Sequence, residues 1–265
     1  MPGPESRTAR DEYIQRIVRG GFPMAVERAS TVSRNRWFDD YIRLTLERDA
    51  LELARIRRSG ALPRLLGKLA GQTGQVLNIS RAAADISLDD RTANDYTRLL
   101  EAVFLVQRLP AWHSTLTSRT TASPKIHVVD SGVAARLKRL TPEKLARRDP
   151  TSLTEFGHLL ETFVAGEVQR QVALMDGMAG IGHWRTHDND EVDLVIERDD
   201  GAIIAFEVKS GSRVQRNDFN PMQKLRNAVG DAFVAGVALY LGGRAYSFED
   251  RLHVMPVDRL WCRSG

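Results

Sequence analysis

Residues 191–211, with the sequence EVDLVIERDDGAIIAFEVKSG, decide the fold of the C-terminal half. Two apolar, alternating runs flank an acidic turn that contains glycine, which predicts two neighbouring strands. Alternation would place Asp193 with Val195 on one face, and Glu207 with Lys209 on one face of the second strand. Charged side chains among buried neighbours are costly unless they are paired or bind a metal. These charged residues are therefore the first candidates for function.

The residue types in this hairpin suit a divalent cation. Asp193, Glu207 and the backbone carbonyl of Val208 would together form an oxygen-rich group of the kind that Mg²⁺ or Mn²⁺ prefers. Lys209 could orient or help deprotonate a metal-bound water, or offset the charge of a phosphate. The sequence leaves a second interpretation open, in which Lys209 and Glu207 form a structural ion pair on an edge strand.

The spacing of these residues, D-x(13)-E-x-K, resembles the motif of the restriction-endonuclease-like, PD-(D/E)xK, nucleases. Asp193 matches the first acidic position, and Glu207-Val208-Lys209 matches the (D/E)xK element, although no proline precedes the aspartate. The resemblance implies a metal-dependent nuclease. It also implies a glutamate on the preceding helix as a catalytic residue and metal ligand, for which Glu161 in GHLLETFV is a better match than Glu167.

A wider resemblance covers nearly the whole chain. The segments RGGFPMAV, RNRWFDDYIRLTLERD, LEAVFLVQRLPAW and SPKIHVVDSGVAARL look like one bacterial family of ATP-binding proteins, in which an AAA-type ATPase domain precedes a C-terminal region. The chain has no phosphate loop, because GALPRLLGK has the wrong spacing for G-x(4)-G-K-[ST]. It therefore resembles the C-terminal portion of such a protein, or a truncated relative, and no ATP site is expected in it.

The order of the predicted elements divides the chain into three domains. Residues 1–59 are predicted to be helical, as a remnant of an ATPase lid or linker. Residues 60–130 read as three helices and two strands around an exposed loop, which is the layout of a winged helix. Residues 131–265 are predicted to form the nuclease-like domain. The expected fold class is α/β (α+β), with a mixed β-sheet flanked by helices.

The third helix of the winged-helix-like domain is the candidate DNA-binding element. Arg91, Asn94 and Arg98 would lie on its outward side, and Arg119 on the wing. Three aspartates on the same helix would repel phosphate, and such domains also act as protein-interaction or spacer modules. The first 120 residues carry a net charge of +5 and the remainder −1, which allows contact with a polyanion in the N-terminal half without requiring it.

Composition narrows the classes of protein to which the chain could belong. The longest apolar stretch, FVAGVALYL, is far shorter than a membrane span, so no membrane partner is expected. A single cysteine excludes an internal disulfide and a cysteine-based zinc cluster, which favours a reducing cytoplasm. The histidines form no zinc-hydrolase motif; His183 and His187 precede Asp193 and are interpreted as ordinary strand-end residues.

These patterns give two leading expectations for function. The first is metal-dependent hydrolysis of DNA phosphodiester bonds by Glu161, Asp193, Glu207 and Lys209. The alternative is a catalytically silent nuclease-fold and winged-helix module that binds DNA or protein and regulates an ATPase. A protein partner or a homo-oligomer is compatible with either. A role as an accessory of a toxin–antitoxin or defence system is implied only by association with the family.

Overall fold

The computed structural model describes residues 5–50, 60–113 and 123–261. The chain forms two compact units, each assembled from segments that are distant in sequence. The helical unit comprises residues 14–108 and 124–163. The sheet unit comprises the described parts of residues 1–13, 109–123 and 164–265. Helices, and sheets with both parallel and antiparallel strands, confirm the predicted α/β class.

The N-terminal part of the helical unit is helical, as the periodicity of the sequence predicts. Its elements are α1 (Arg10–Arg19), which begins in the sheet unit, α2 (Pro23–Val26), α3 (Thr31–Leu44) and a π-helical turn (Thr45–Ala50). Ser30 caps α3 through a capping box, in which it accepts from the backbone N–H of Ser33 and the Ser33 hydroxyl accepts in return. The cap fixes where α3 begins.

Three helices and three short strands follow in the helical unit. They are α4 (Ala61–Gly71), β1 (Gln75–Val76), α5 (Ile79–Ala84), α6 (Asp90–Ala102), β2 (Val106–Leu109) and β3 (Lys125–Val128). The strands form a sheet in the order β1-β3-β2, and β1 is antiparallel to β3. Leucines of α4 pack with Leu100 of α6 in a shared apolar cluster. The three helices followed by β2 and β3 match the predicted order of elements, and β1, between α4 and α5, was not predicted.

The helical unit ends with α7 (Ser131–Leu137), α8 (Pro142–Ala146) and the first part of α9 (Pro150–Val172). Asp130 caps α7 by accepting from the backbone N–H groups of Gly132 and Val133. Its second carboxylate oxygen accepts from the N–H of Gly21, at 2.7 Å. One aspartate therefore ties the start of α7 to the turn that ends α1.

The sheet unit contains a six-stranded sheet in the order β4-β5-β6-β7-β9-β8. The strands are β4 (Met178–Arg185), β5 (Glu191–Arg198), β6 (Ile203–Val208), β7 (Phe233–Tyr240), β8 (Tyr246–Glu249) and β9 (Leu252–Pro256). The first three are antiparallel, whereas β6, β7 and β9 are parallel. A 3₁₀ turn (Arg216–Phe219) and α10 (Asn220–Val229) connect β6 to β7. Parallel neighbours require such a crossover.

One face of this sheet is buried beneath the crossover. Phe219, Met222 and Leu225 pack with Val195 of β5 and Ala205 of β6 in one apolar cluster. Because side chains alternate along a strand, Asp193 and Glu207 lie on the same face as these two residues. The crossover therefore covers the face of the sheet that carries the charged residues.

The N-terminal segment of the sheet unit contacts its C-terminal turn. The hydroxyl groups of Ser6 and Thr8 both donate to Oδ2 of Asp258, which lies in a 3₁₀ turn (Val257–Leu260). The N–H of Asp258 donates to the Tyr13 hydroxyl at 3.1 Å. Burial, followed by the nearby charge of Asp258, raises the pKa of Tyr13 to about 12. Asp258 is itself buried, so these hydrogen bonds compensate for its desolvation.

Within the described ranges, no helix combines the length and the apolar character that crossing a lipid bilayer would require.

Candidate functional site

The two carboxylates of the motif lie on adjacent antiparallel strands. Leu194 of β5 pairs with Phe206 of β6, and continuing this register by one residue brings Asp193 opposite Glu207. Both are largely buried, with exposed fractions of 8% and 9%. Oδ2 of Asp193 accepts from the backbone N–H of Val208 at 2.9 Å, which fixes the aspartate against the end of β6. The structure therefore brings Asp193, Glu207 and Val208 together.

Lys209 completes this group immediately after β6. Its Nζ lies 3.0 Å from Oε1 of Glu207 and 3.1 Å from Oδ1 of Asp218. Burial by itself lowers the pKa of Lys209, but the charges and hydrogen bonds of the two carboxylates outweigh it and raise the pKa above its ordinary value. Lys209 is therefore firmly cationic at neutral pH. In this arrangement it supplies positive charge and hydrogen bonds to Glu207 and Asp218.

Two residues of this cluster are missing from the sequence-based prediction. Asp218 lies in the 3₁₀ turn before α10, where its Oδ2 also accepts from the N–H of Gln215. The Gln215-x-x-Asp218 capping spacing was a usable signal for its position. Arg10 donates from Nη1 to the carbonyl of Ser210 at 3.1 Å, which brings a second cation to this end of β6. Because Arg10 and Ser210 are 200 positions apart in the sequence, no local sequence pattern predicts their contact.

Glu161, the predicted helix glutamate, lies on the part of α9 that belongs to the helical unit. Its Oε1 forms an ion pair with Nζ of Lys125 at 2.8 Å. The Lys125 side chain, on β3, is fully buried, and that of Glu161 is 12% exposed. The sequence analysis did not identify this partner, because KIHVVD reads as an ordinary strand. This ion pair holds Glu161 within the helical unit.

The donor set in the sheet unit fits part of the coordination shell of a hard divalent cation. Asp193 and Glu207 offer carboxylate oxygens on adjacent strands, which is the ligand type that Mg²⁺ and Mn²⁺ prefer. Over the part of the chain that the structure describes, no three His, Cys, Asp or Glu side chains form a group able to hold a metal ion. Mg²⁺ usually keeps several waters and binds through one or two carboxylates, so two protein ligands suffice for it.

The two histidines that precede Asp193 lie in different environments. His183 is buried on β4, where Nε2 lies 3.2 Å from the carbonyl oxygen of Ser123. The backbone of His183 exchanges hydrogen bonds with Pro110 and Trp112. His187 is fully exposed in the turn after β4, with Asp188 at 3.9 Å. His183 thus joins residues 109–113 and Ser123 to the sheet, and His187 lies in solvent.

The candidate DNA-binding residues lie on α6. Arg91 and Arg98 are exposed, and Arg98 lies 3.6 Å from Asp95. Asn94 is half-buried and accepts through Oδ1 from Nη2 of Arg108 at 2.7 Å. Arg119, the predicted wing residue, lies outside the described residues. The described part of this group is therefore an exposed helix face of mixed charge.

The fold and the site together define an α/β protein with a helical unit and a charged hairpin of two carboxylates and a lysine. The chain belongs to a family named domain of unknown function DUF8612, whose model matches residues 10–144. Residues 156–260 match a second domain of unknown function, DUF4143, and this range contains all six strands of the larger sheet. Neither description states an activity.

Two curated relatives extend the comparison. They are uncharacterized proteins of Mycobacterium bovis and Mycobacterium tuberculosis, each 27% identical to this chain over 244 residues. The aligned region covers 92% of this chain and 52% of each relative, so the chain spans about half the length of the curated relatives it matches. The comparison with solved structures gives no match.

Proposed function

We infer that the sheet unit is a divalent-metal-dependent nuclease domain that hydrolyses DNA phosphodiester bonds. The observation that carries this proposal is the pairing of two buried carboxylates, Asp193 and Glu207, beside a lysine that is held in its cationic form. Buried carboxylates on adjacent strands repel each other unless positive charge compensates them. A site of this kind gains free energy when a cation binds.

Each protein group has a distinct part in the proposed reaction. Mg²⁺ or Mn²⁺, when bound by Asp193 and Glu207, would supply positive charge for the phosphate and acidify a water molecule. Asp193 is held in place by the N–H of Val208, so its orientation is set before a ligand arrives. Lys209 would donate to a phosphate oxygen and stabilise the negative charge that develops there. Arg10, at the same end of β6, is a further candidate for phosphate contact.

The proposal extends to binding of the DNA itself. Arg91 and Arg98 on α6, together with Arg119, would contact the backbone phosphates, and Asn94 would reach a base edge. The element order of a winged helix and the net positive charge of the N-terminal half support this assignment. The wider resemblance and the greater length of the relatives support a place as the C-terminal part of an AAA-type ATP-binding protein of the cytoplasm.

Cleavage of DNA tests the catalytic proposal. Supercoiled and linear DNA are incubated with the protein in Mg²⁺ or Mn²⁺, and the products are followed on gels. We expect cleavage by the wild type and a loss of at least a hundredfold in Asp193→Asn, Glu207→Gln and Lys209→Ala. Glu161→Gln, in the same assay, measures whether the helix glutamate contributes to cleavage as the resemblance implies.

A matched control makes the same Asp-to-Asn change in the same hairpin, but away from the candidate site. Asp199→Asn removes one carboxylate from the exposed turn of the same hairpin, so its cleavage rate should equal that of the wild type. Equal rates in the wild type and in Asp193→Asn would overturn the proposal, as would the absence of cleavage by wild type that binds Mg²⁺ and is folded by circular dichroism.

One observation favours a second function, a non-catalytic module that binds DNA or protein and regulates an ATPase. Lys209 is held by Glu207 and Asp218, and Glu161 is held by Lys125, so these charges also satisfy one another within the fold. Under this function, DNA is retained without cleavage and the affinity falls steeply with salt. Arg91→Glu with Arg98→Glu would then abolish retention, whereas Asp193→Asn would leave it unchanged.

A further inference from the structure

A cavity of about 700 Å³ lies within the helical unit, away from every residue assigned above. It is lined by residues of α3 and by the α7–α8 corner, with Val18 of α1 and Pro63 of α4. A volume of this size accommodates a small organic molecule of some tens of atoms. Its wall combines apolar side chains, including Ile42, Leu46 and Leu140, with four cations and two carboxylates.

The charges on the wall are not all neutralised by one another. Arg136 forms two bonds with Asp39, from Nε at 2.7 Å and from Nη2 at 2.5 Å. Arg43 pairs with Glu47 at 3.4 Å and also with Asp40. These contacts account for both carboxylates of the wall. The wall therefore retains a net positive charge.

Arg139 and Lys144 provide this remaining charge. Lys144 donates from Nζ to the backbone carbonyl of Arg139 at 2.9 Å, which keeps its ammonium at the α7–α8 corner. Within the described ranges, neither side chain forms an ion pair with a carboxylate. Both are exposed, so a ligand can reach them. A cavity with an apolar wall and two unneutralised cations is complementary to a molecule with an apolar body and an anionic group.

The backbone conformation of Arg139 places this residue at the end of α7, where the cavity wall turns towards α8. Arg139 has a φ of +53° at the C-terminal end of α7, a left-handed conformation in which glycine is usual. The N–H of Leu140 donates to the carbonyl of Ala135, which closes the helix end in the way that such a residue normally does. An arginine in this conformation is less favourable than glycine.

We propose that this cavity binds a small organic anion, a carboxylate, sulfonate or phosphate ester with an apolar body, through Arg139 and Lys144. The apolar part contacts Ile42, Leu46 and Leu140, and the anionic group lies between the two cations. The site is separate from the proposed nuclease chemistry, so either can fail without the other.

Two related fluorescent probes test the proposal on the full chain. 8-Anilinonaphthalene-1-sulfonate carries an anionic sulfonate on an apolar body, and N-phenyl-1-naphthylamine is its neutral counterpart. We expect saturable binding of the sulfonate, at least tenfold weaker in Arg139→Glu with Lys144→Glu, and binding of the neutral probe that the substitutions leave unchanged. Arg28→Glu with Arg36→Glu reverses two exposed charges elsewhere in the helical unit and should leave both probes unaffected.

Arg139→Gly separates binding from folding. Glycine accepts the left-handed backbone without strain, so the melting temperature should be equal to or above that of the wild type while sulfonate binding weakens about tenfold. The proposal is overturned if Arg139→Gly and the double variant bind the sulfonate as tightly as the wild type. It is also overturned if the wild type binds the two probes equally, or does not bind the sulfonate saturably.

Discussion

Two of the Lys–Glu pairs among the described residues, one in each unit, show how similar contacts can have different roles. Lys125 and Glu161 lie in the helical unit at 2.8 Å, and the lysine is wholly buried. Lys209 and Glu207 lie in the sheet unit at 3.0 Å, and the lysine is 28% exposed. Lys209 contacts a second carboxylate, Asp218, and follows directly on the strand that pairs with Asp193.

The two pairs differ in the solvent exposure of the lysine and in the number of carboxylates around it. A fully buried ion pair is difficult to open, because separating it leaves an uncompensated charge in a medium of low dielectric constant. A partly exposed lysine among several carboxylates can exchange partners at lower cost, and a cation or a phosphate can replace one of its contacts. The Lys125–Glu161 pair is therefore suited to stability and the Lys209 cluster to ligand binding.

The largest expected change in the free energy of unfolding follows from breaking the buried Lys125–Glu161 pair. Glu161→Gln leaves Lys125 without its carboxylate, and we expect the free energy of unfolding to fall by about 3 kcal/mol, as when one partner of a buried ion pair is removed. Urea denaturation followed by circular dichroism measures this change. Lys125→Met with Glu161→Gln should recover much of the loss. A loss below about 1 kcal/mol in the single variant would show that the pair does not stabilise the helical unit.

The second effect concerns the response of the sheet unit to metal. Mg²⁺ at ten times its dissociation constant should raise the free energy of unfolding by about 1.4 kcal/mol, since it binds the folded state only. Asp193→Asn should abolish this gain, and Glu161→Gln should retain it, because Glu161 is committed to Lys125. Thermal unfolding with and without Mg²⁺ provides the measurement. An equal gain in wild type and Asp193→Asn would place the cation elsewhere.

Removing the charge of Glu207, the partner of the partly exposed Lys209, should change the free energy of unfolding less. Glu207→Gln leaves Lys209 with Asp218 and with access to water, so the free energy of unfolding should fall by only about 1 kcal/mol. The same denaturation experiment compares it with Glu161→Gln. If the two variants lost equal stability, the contrast between the two pairs would disappear.

The smallest effect is a pH dependence at high pH. The pKa of Lys209 is raised above 10.5 in the folded state, so its contribution to stability is complete below pH 10.5 and is lost as the pH rises through the folded-state pKa. The stability difference between wild type and Lys209→Met should therefore be constant from neutral pH to about pH 10 and shrink as the pH rises further. If the stability difference between wild type and Lys209→Met increased above pH 10.5, the predicted direction of the pH dependence would be wrong.

Tyr13 contributes to the same alkaline range and needs its own variant. Its pKa is about 12 in the folded state, whereas the ordinary value for tyrosine is 10, so the unfolded chain loses its proton first and stability declines between these two pH values. Tyr13→Phe should make the alkaline decline shallower. Denaturation at pH 9, 10 and 11 distinguishes the two residues, because the Lys209 difference persists in the Tyr13→Phe background.

Local patterns were enough to predict the strands of the candidate site. EVDLVIE and AIIAFEVKS alternate in hydrophobicity, and the structure has strands at 191–198 and 203–208. The sequence DFNPMQKLRNAV likewise predicts a helix between strands, and the structure has one at Asn220–Val229. The edge strand Tyr246–Glu249 was not predicted, because most of its residues are exposed and it lacks an apolar face.

The partners of the charged residues could not be predicted from local patterns. Asp218 reaches Lys209 because the turn after β6 folds back, and Arg10 reaches Ser210 from the other end of the chain. Glu161 matched the nuclease motif in its helical spacing, yet the structure gives it Lys125 from a strand 36 positions earlier. The sequence identifies which side chains need partners, and only the tertiary fold selects them.

The hydrogen bonds from Ser6 and Thr8 to Asp258 also have a consequence for the order of folding. The donor of the Thr8 bond is 250 positions from its acceptor, so closing this contact carries a large loop entropy. The helices α4 to α6 contact one another over short separations and can form before that loop closes. We expect protection from hydrogen exchange to appear first in α4 to α6 during refolding, and last in residues 6–13.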